Sequence, residues 1–362
     1  MATRVGGAVP KIRSRELGAA VPLTDWDRRL LNLLQSRFPL EPHPFRAIAA
    51  AAGASEDEVM ERTKWLLDQR IIRELTPIFD TPALGYSSML VAARVDHEHP
   101  HRAAAVINEH PGVSHNYLRN HDFNLWFTIA TAPDSKLGLD GTLEVLKELS
   151  GAESMRQLPT LTMFKINMNL EMEGGTDALA AAVQATEPMA REPIPIDEFD
   201  IAVVRATQGP MAVRSDAYAP AAEKLSLPVE RLLEHLGGMT ERRLLRRVAA
   251  ILFHRRAGFS ANGMGVWKVP EDQIMDLGPR MAAVRGVSHC YRRPTYRDWP
   301  YSVFTMAHGR SKEECDAVLD GVASVCGLGG DDRATLYSST EYKKVRLHYF
   351  TPDYAAWEAR YS

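Results

Sequence analysis

The strongest constraint on the fold is a segment that occurs twice. Residues 111–128 read PGVSHNYLRNHDFNLWFT, and residues 285–305 read RGVSHCYRRPTYRDWPYSVFT. Both open on Val-Ser-His-x-Tyr and close on Phe-Thr, and both have a strand–turn–strand pattern. One dense polar-aromatic segment could be an ordinary turn. Two in corresponding places point to a tandem duplication, so the chain should be read as two similar halves, each contributing to a site.

The 362 residues are enough for two to four domains, and an apolar fraction of 45% with 25% charged residues is that of an ordinary globular protein. A formal net charge of -3 gives no overall attraction to nucleic acid. The first twenty residues carry Arg4, Lys11, Arg13 and Arg15 without a continuous apolar run, the composition of a loose tail rather than a signal peptide. Cys290, Cys315 and Cys326 have no CxxC spacing, which gives neither a disulfide framework nor a zinc site. These features together predict a cytoplasmic protein.

Taken in order, Thr24 to Leu34 predicts a helix capped by Thr24 or Asp25, Pro44 to Ala52 a second, and Ser55 to Leu67 a third with capping-box spacing at Ser55 and Glu58. Extended residues from Ile71 to Phe79 follow, completing a winged helix-turn-helix. Strands at Met89–Val95, Val113–Leu118, Leu125–Ala130 and Leu161–Leu170, with helices at His101–Glu109 and Leu139–Leu149, give the ferredoxin-like βαββαβ order. The second half repeats the series. Residues 71–86 align with 244–259 at the wing, and MFKI (163–166) aligns with EYKK (341–344) at the closing strand. The predicted class is α+β, a tandem repeat of winged helix-turn-helix plus ferredoxin-like domain. The boundaries are a tail at 1–22, the first pair at 23–86 and 87–172, a linker at 173–195, the second pair at 196–259 and 260–350, and a C-terminal tail at 351–362.

This arrangement resembles the Lrp/AsnC regulators, with their AsnC/RAM-type ligand domain. The specific wording resembles a non-regulatory branch. FPLxxxPF (38–45), VSHNYxRxHxFNLWFT and LPTxxxFKI in the first half, with HRRAGFxAN (254–262), VSHCYRR, DWPY (298–301), FTMxHG (304–309) and STEYKKVR (339–346) in the second, are similar to the two homologous subunits of siroheme decarboxylases, here fused into one chain. The resemblance covers roughly residues 22–349. It implies conversion of siroheme to 12,18-didecarboxysiroheme with loss of two CO₂, on the way to heme d1 or to protoheme.

Such a substrate needs cations for its carboxylates and aromatic surface for its flat ring. Arginine binds carboxylates with a planar fork. Candidate substrate-binding residues are Tyr117, Arg119, Trp126, Lys165, Arg246, His254, Arg255, Tyr291, Arg292, Arg293, Arg297, Trp299, Lys343 and Lys344. Side chains on a strand alternate faces, so His115, Tyr117 and Arg119 should form one row, and His289, Tyr291 and Arg293 another. Loss of CO₂ from an acetate leaves a carbanion-like carbon that must take up a proton, and histidine titrates near neutrality. His115, His121, His289 and His308 are the candidate catalytic residues, with ligation of the substrate iron by one of them left open. No added cofactor is expected, because the conjugated ring can itself accept the electron pair. An internal pseudo-dimer of the halves is expected, with a homodimer of the whole chain beyond it.

The competing reading is a DNA-binding regulator that senses a tetrapyrrole. Against it, the first recognition helix opens on Ser55, Glu56, Asp57 and Glu58, carboxylates facing a polyanion.

Overall fold

The computed structural model describes residues 22–36, 38–166, 194–253, 261–309 and 311–361. The first half opens with three helices, α1 (Asp25–Ser36), α2 (Pro44–Ala52) and α3 (Glu56–Asp68). Thr24 caps α1, its hydroxyl accepting from the Asp27 amide at 3.1 Å. Ser55 and Glu58 close the expected capping box on α3. The second half answers with α6 (Glu198–Thr207), α7 (Ala219–Lys224) and α8 (Val229–Glu241). A buried carboxylate ties the outer helices in each unit. Asp27 on α1 accepts from Arg62 on α3 at 2.6 and 2.8 Å, and Asp200 on α6 binds Arg242 and His235 beside α8.

The wings differ from the sequence reading. Each unit contributes one strand, β1 (Ile72–Phe79) and β7 (Leu245–Leu252), and these pair antiparallel with each other, Leu75 opposite Ala250. Both strands bury residues on both faces, so each needs an apolar partner, and the duplicate supplies it. A single core joins the units, with Leu30, Phe38 and Phe45 from the first packed with Val203, Leu232 and Met239 from the second. The two helical units form one body.

The remaining strands form one nine-stranded sheet. The first half supplies β2 (Ser87–Arg94), β3 (His115–Arg119), β4 (Leu125–Thr131), β5 (Ser154–Gln157) and β6 (Thr162–Ile166); the second supplies β8 (Ala261–Trp267), β9 (Val287–Arg292), β10 (Val303–Gly309) and β11 (Arg333–Lys344). Their order is β5-β2-β4-β3-β11-β8-β10-β9-β6. Helices α4 (Pro100–Asn108) and α5 (Gly138–Ser150) cover the first set; α9 (Ile274–Ala283) and α10 (Lys312–Cys326) cover the second.

Within this order each half keeps the ferredoxin-like arrangement, with one exchange. The first part of β11 pairs with β8 of its own half, while Ser338 to Lys344 pair with β3 of the other. The first half makes the same crossing in two pieces. β5 pairs with its own β2, and β6 pairs with β9 of the second half. The predicted strand over 161–170 is thus the exported piece, described to Ile166, and the fourth strand of the first domain is β5. Pro159 explains the break, since it cannot donate to a ladder. β5 and β6 stand at opposite ends of the strand order yet are joined by residues 158–161. Leu158 donates to Leu90 and Leu161 to Arg292, so the sheet closes on itself. Its interior holds Trp126, Trp299, Phe123, Phe304, Leu158 and Leu336. The register also bears out the alignment of 163–166 with 341–344: Ile166 faces His289 as Lys344 faces His115.

The last residues are not a tail. Helix α11 (Pro352–Glu358) packs against the first half, with Tyr354 and Trp357 buried.

Candidate functional site

Both expected rows lie on the inner side of the closed sheet. Tyr117 stands opposite the interior residue Trp126, and Tyr291 opposite Phe304. The residues between point to the covering helices, Asn116 to Asn108 on α4 and Cys290 to Gly278 on α9. The histidine and tyrosine rings of each row are neighbours, 6.2 Å apart at 30° in the first and 6.0 Å apart at 40° in the second. The repeated motif has produced the same wall twice.

At the deep end of each row sits an arginine. Arg119 donates to the Leu336 carbonyl at 3.1 Å and lies over Trp126. Arg293 donates to the Leu158 carbonyl and lies over Tyr291 and Phe304. Each guanidinium therefore reads the crossing strand of the opposite half. In both, Nε has no partner, and neither arginine has a carboxylate within ion-pair distance among the described residues. Burial lowers both to about 10, still cationic at neutral pH. A buried, unpaired cation is costly and attracts an anion.

At the outer end the serine of the repeated motif holds the histidine. Ser288 Oγ lies 2.7 Å from His289 Nδ1 and donates its one proton to the Met306 carbonyl at 3.2 Å. The serine is thus the acceptor from Nδ1–H, and Nε2 of neutral His289 carries the lone pair. In the first half Ser114 Oγ contacts His115 Nδ1 at 3.0 Å and the Thr128 hydroxyl at 2.7 Å. Burial, then the cations Lys344 and Arg73, pull His115 down to about 4. Burial, then His308 and Lys165, do the same to His289. Both imidazoles are neutral near pH 7.

The four candidate histidines do not converge. His289 and His308 are together, ring centroids 6.4 Å apart, with His308 Nδ1 held by Asn262 Oδ1 at 2.7 Å. Strand register places His308 where the first half has Ala130, one residue from the position that spacing suggests, because His115 pairs with Thr128 while His289 pairs with Met306. His115 has no second imidazole at that position. His121 lies beyond the β3–β4 turn. Its Nδ1 accepts from the Phe123 amide at 3.0 Å, and its ring meets Trp299 at 5.3 Å, so it locks a turn against the interior.

Several candidate binding residues are placed away from the rows. Lys165 donates to the Ala282 carbonyl at 2.9 Å, and Lys343 to the carbonyls of Asn108 at 2.8 Å and His110 at 3.3 Å. Both cap the C-terminal end of the helix that covers their sheet, where carbonyls lack partners and cations are favoured. Bulges cause this. Irregular register between Met163 and Lys165, and between Glu341 and Lys343, puts each lysine on the helix side. Trp126 and Trp299 are 1% and 0% exposed and offer no face to a ring. Arg292 pairs with Glu271 on the outer side, and Arg246 pairs with Asp80 on the wing ribbon. Arg297 is exposed on the β9–β10 loop, and Lys344 is exposed opposite His115. His254 and Arg255 lie outside the described residues. Sequence reasoning gave no role to Ser114, Ser288, Asn262 or Ile166. The serines carried a signal, being common to both copies of the motif.

Comparison with known proteins places this geometry. The model of the AsnC-like ligand binding domain matches twice, at 83–165 and 256–343. That of the siroheme decarboxylase NirDL-like HTH domain matches residues 27–73. A siroheme decarboxylase of Hydrogenobacter thermophilus is 35% identical over 91% of this chain and 96% of its own length. A siroheme decarboxylase alpha subunit of Desulfovibrio desulfuricans is 33% identical over 48% of this chain and 98% of its own, as a single half would be. Among solved structures, the siroheme decarboxylase NirDL in co-complex with an iron-uroporphyrin III analogue is 31% identical, covers 93% of this chain and 98% of its own, and superposes with a TM-score of 0.74.

Proposed function

The chain belongs to the siroheme decarboxylase family, and on that premise we propose that it is a carbon–carbon lyase that removes CO₂ from two acetate side chains of siroheme, giving 12,18-didecarboxysiroheme. The observation that carries the reading is the second-half wall, with His289 and His308 adjacent at its outer end and Arg293, without an acidic partner, at its inner end. Tyr291 lies between, an aromatic edge for a flat macrocycle.

In each step the bond between the acetate CH₂ and its carboxyl carbon breaks. Its electron pair passes into the conjugated ring, CO₂ departs, and a proton is delivered to the carbon to leave a methyl. The net uptake is one proton per CO₂. His289 is the proposed donor. It is neutral in the substrate-free fold, held down by burial and nearby cations. The arriving carboxylates oppose both effects, so the substrate brings its donor to the protonated state. An arginine clamped on a departing carboxylate would stabilise the ground state, so Arg293 is assigned to a carboxylate that stays. The iron arrives within the substrate, no further cofactor is invoked, and a homodimer of the fused chain is part of the proposal.

The regulator reading gains nothing from the structure. Helix α3 presents Glu56, Asp57 and Glu58 in its first turn, and the basic wing residue Arg246 is paired with Asp80. No helix among the described residues is long and apolar enough to cross a membrane. Incubation of the pure protein with siroheme under anaerobic conditions should release two CO₂ and give the didecarboxylated product by mass. Tight binding without mass loss would refute the enzyme reading.

A further inference from the structure

We infer that the chain holds one tetrapyrrole site, on the second-half wall, and that its own C-terminal segment closes the equivalent ground in the first half. The inference rests on the proposed function and adds the number and place of its sites.

The two walls match from arginine to histidine and part company just beyond. On the second-half wall the next inward residue after Met306 is His308, half-buried and held by the exposed Asn262. On the first-half wall that position is Ala130, fully buried in a cluster that includes Tyr86, Tyr349 and Tyr354. Two of those three rings come from the segment after β11. The counterpart of the histidine pair is thus occupied by the chain itself.

The segment is fastened along its length. Val345 donates to the Ser114 carbonyl at 2.8 Å, carrying the β11 ladder one residue past His115. Arg346 spans to the wing ribbon, donating to the Thr76 hydroxyl and, at 2.7 Å, to the Pro77 carbonyl. The Gln208 side chain clamps the Tyr349 backbone from both sides, and the Tyr349 hydroxyl meets Thr81 at 2.7 Å. Helix α11 then sets Trp357 against His110 and gives Glu358 the Leu137 amide. A macrocycle entering here would have to remove buried aromatic rings and several satisfied hydrogen bonds together, each about 1 kcal/mol or more.

The test is an anaerobic spectral titration of the full chain with siroheme, together with turnover, for the wild type and for Ser288→Ala and Ser114→Ala. Both substitutions remove one hydroxyl that holds the histidine of its wall, so both should fold. Saturation is expected at one equivalent per chain. Ser288→Ala should lower turnover at least tenfold, while Ser114→Ala leaves stoichiometry and turnover at wild-type values. Saturation at two equivalents, or a tenfold loss confined to Ser114→Ala, overturns the inference. One equivalent without CO₂ release would sink the decarboxylase reading and leave the single-site inference standing. Two equivalents with turnover would do the reverse.

Discussion

Closure of the sheet by β6 can be tested by the sign of a stability change at Gly278. This glycine lies within α9, and a Cβ built on it would stand 2.4, 2.5 and 2.7 Å from three ring atoms of Phe164 on β6. The ring is 2% exposed and seated in the second-half core, so it has little room to yield. Two effects oppose each other in Gly278→Ala. Replacing glycine inside a helix stabilises by about 1 kcal/mol. Overpacking a closed core costs about 1–3 kcal/mol, and contact with three atoms of a rigid ring belongs at the upper end. A net destabilisation of about 2 kcal/mol is expected from those two figures. Urea unfolding of the purified variant gives the sign. In a Phe164→Ala background the ring is gone, so Gly278→Ala should become stabilising by about 1 kcal/mol, the propensity term alone. Stabilisation by Gly278→Ala in the wild-type background would mean that β6 does not lie beneath α9. The sheet would then be open, and Ile166 would not stand opposite His289.

Stability should also depend on pH with a definite sign. His110 is held at about 3, and His115 and His289 at about 4, chiefly by burial. Between those values and the ordinary 6.5 the unfolded chain binds more protons than the folded one, so stability is full above about pH 6.5 and falls as pH drops toward 4, by a few kcal/mol in all. Equal urea midpoints at pH 7.5 and 5.0 would contradict this. Lys165→Met and Lys343→Met should each cost about 1 kcal/mol by losing a helix-end hydrogen bond, with KM for siroheme unchanged. A raised KM would return the lysines to the substrate. His308→Ala should lower kcat by about a hundredfold if the second imidazole acts in proton delivery, the low end for general acid catalysis. Unchanged kcat would reduce His308 to a bystander.

What could be read from the sequence depended on whether the signal was local. The paired rows were legible because a period-2 pattern and a repeated motif reinforce each other at His115–Tyr117–Arg119 and His289–Tyr291–Arg293. The capping boxes and the order of elements were legible for the same reason. The lysines were misplaced because alternation was carried through a bulge. One extra residue turned Phe164 and Lys165 to the same side, and likewise Tyr342 and Lys343. The tryptophans were misplaced because strand pattern does not distinguish an inner wall from the core it surrounds. Strand exchange lay further from view, since pairing partners are chosen in space. Its one local trace is Pro159, which ends β5 and frees β6 to leave.

That exchange bears directly on chemistry. The residue opposite His289 is Ile166 and the residue opposite His115 is Lys344, each delivered by the other half. The duplicated motif fixes what the two walls share, and the crossing strands fix how they differ. A lysine beside an imidazole opposes its protonation and continues into the segment that covers Ala130. An isoleucine beside an imidazole adds no charge, and it dries the ground on which a carboxylate would lose CO₂. Exchanging these two residues should therefore act on the second wall alone. Ile166→Lys places a cation opposite His289, lowers its tendency to take up a proton and should lower kcat more than it raises KM. Lys344→Ile should leave kcat near wild type. The reverse pattern, in which Lys344→Ile impairs turnover and Ile166→Lys does not, would move the chemistry to the first half.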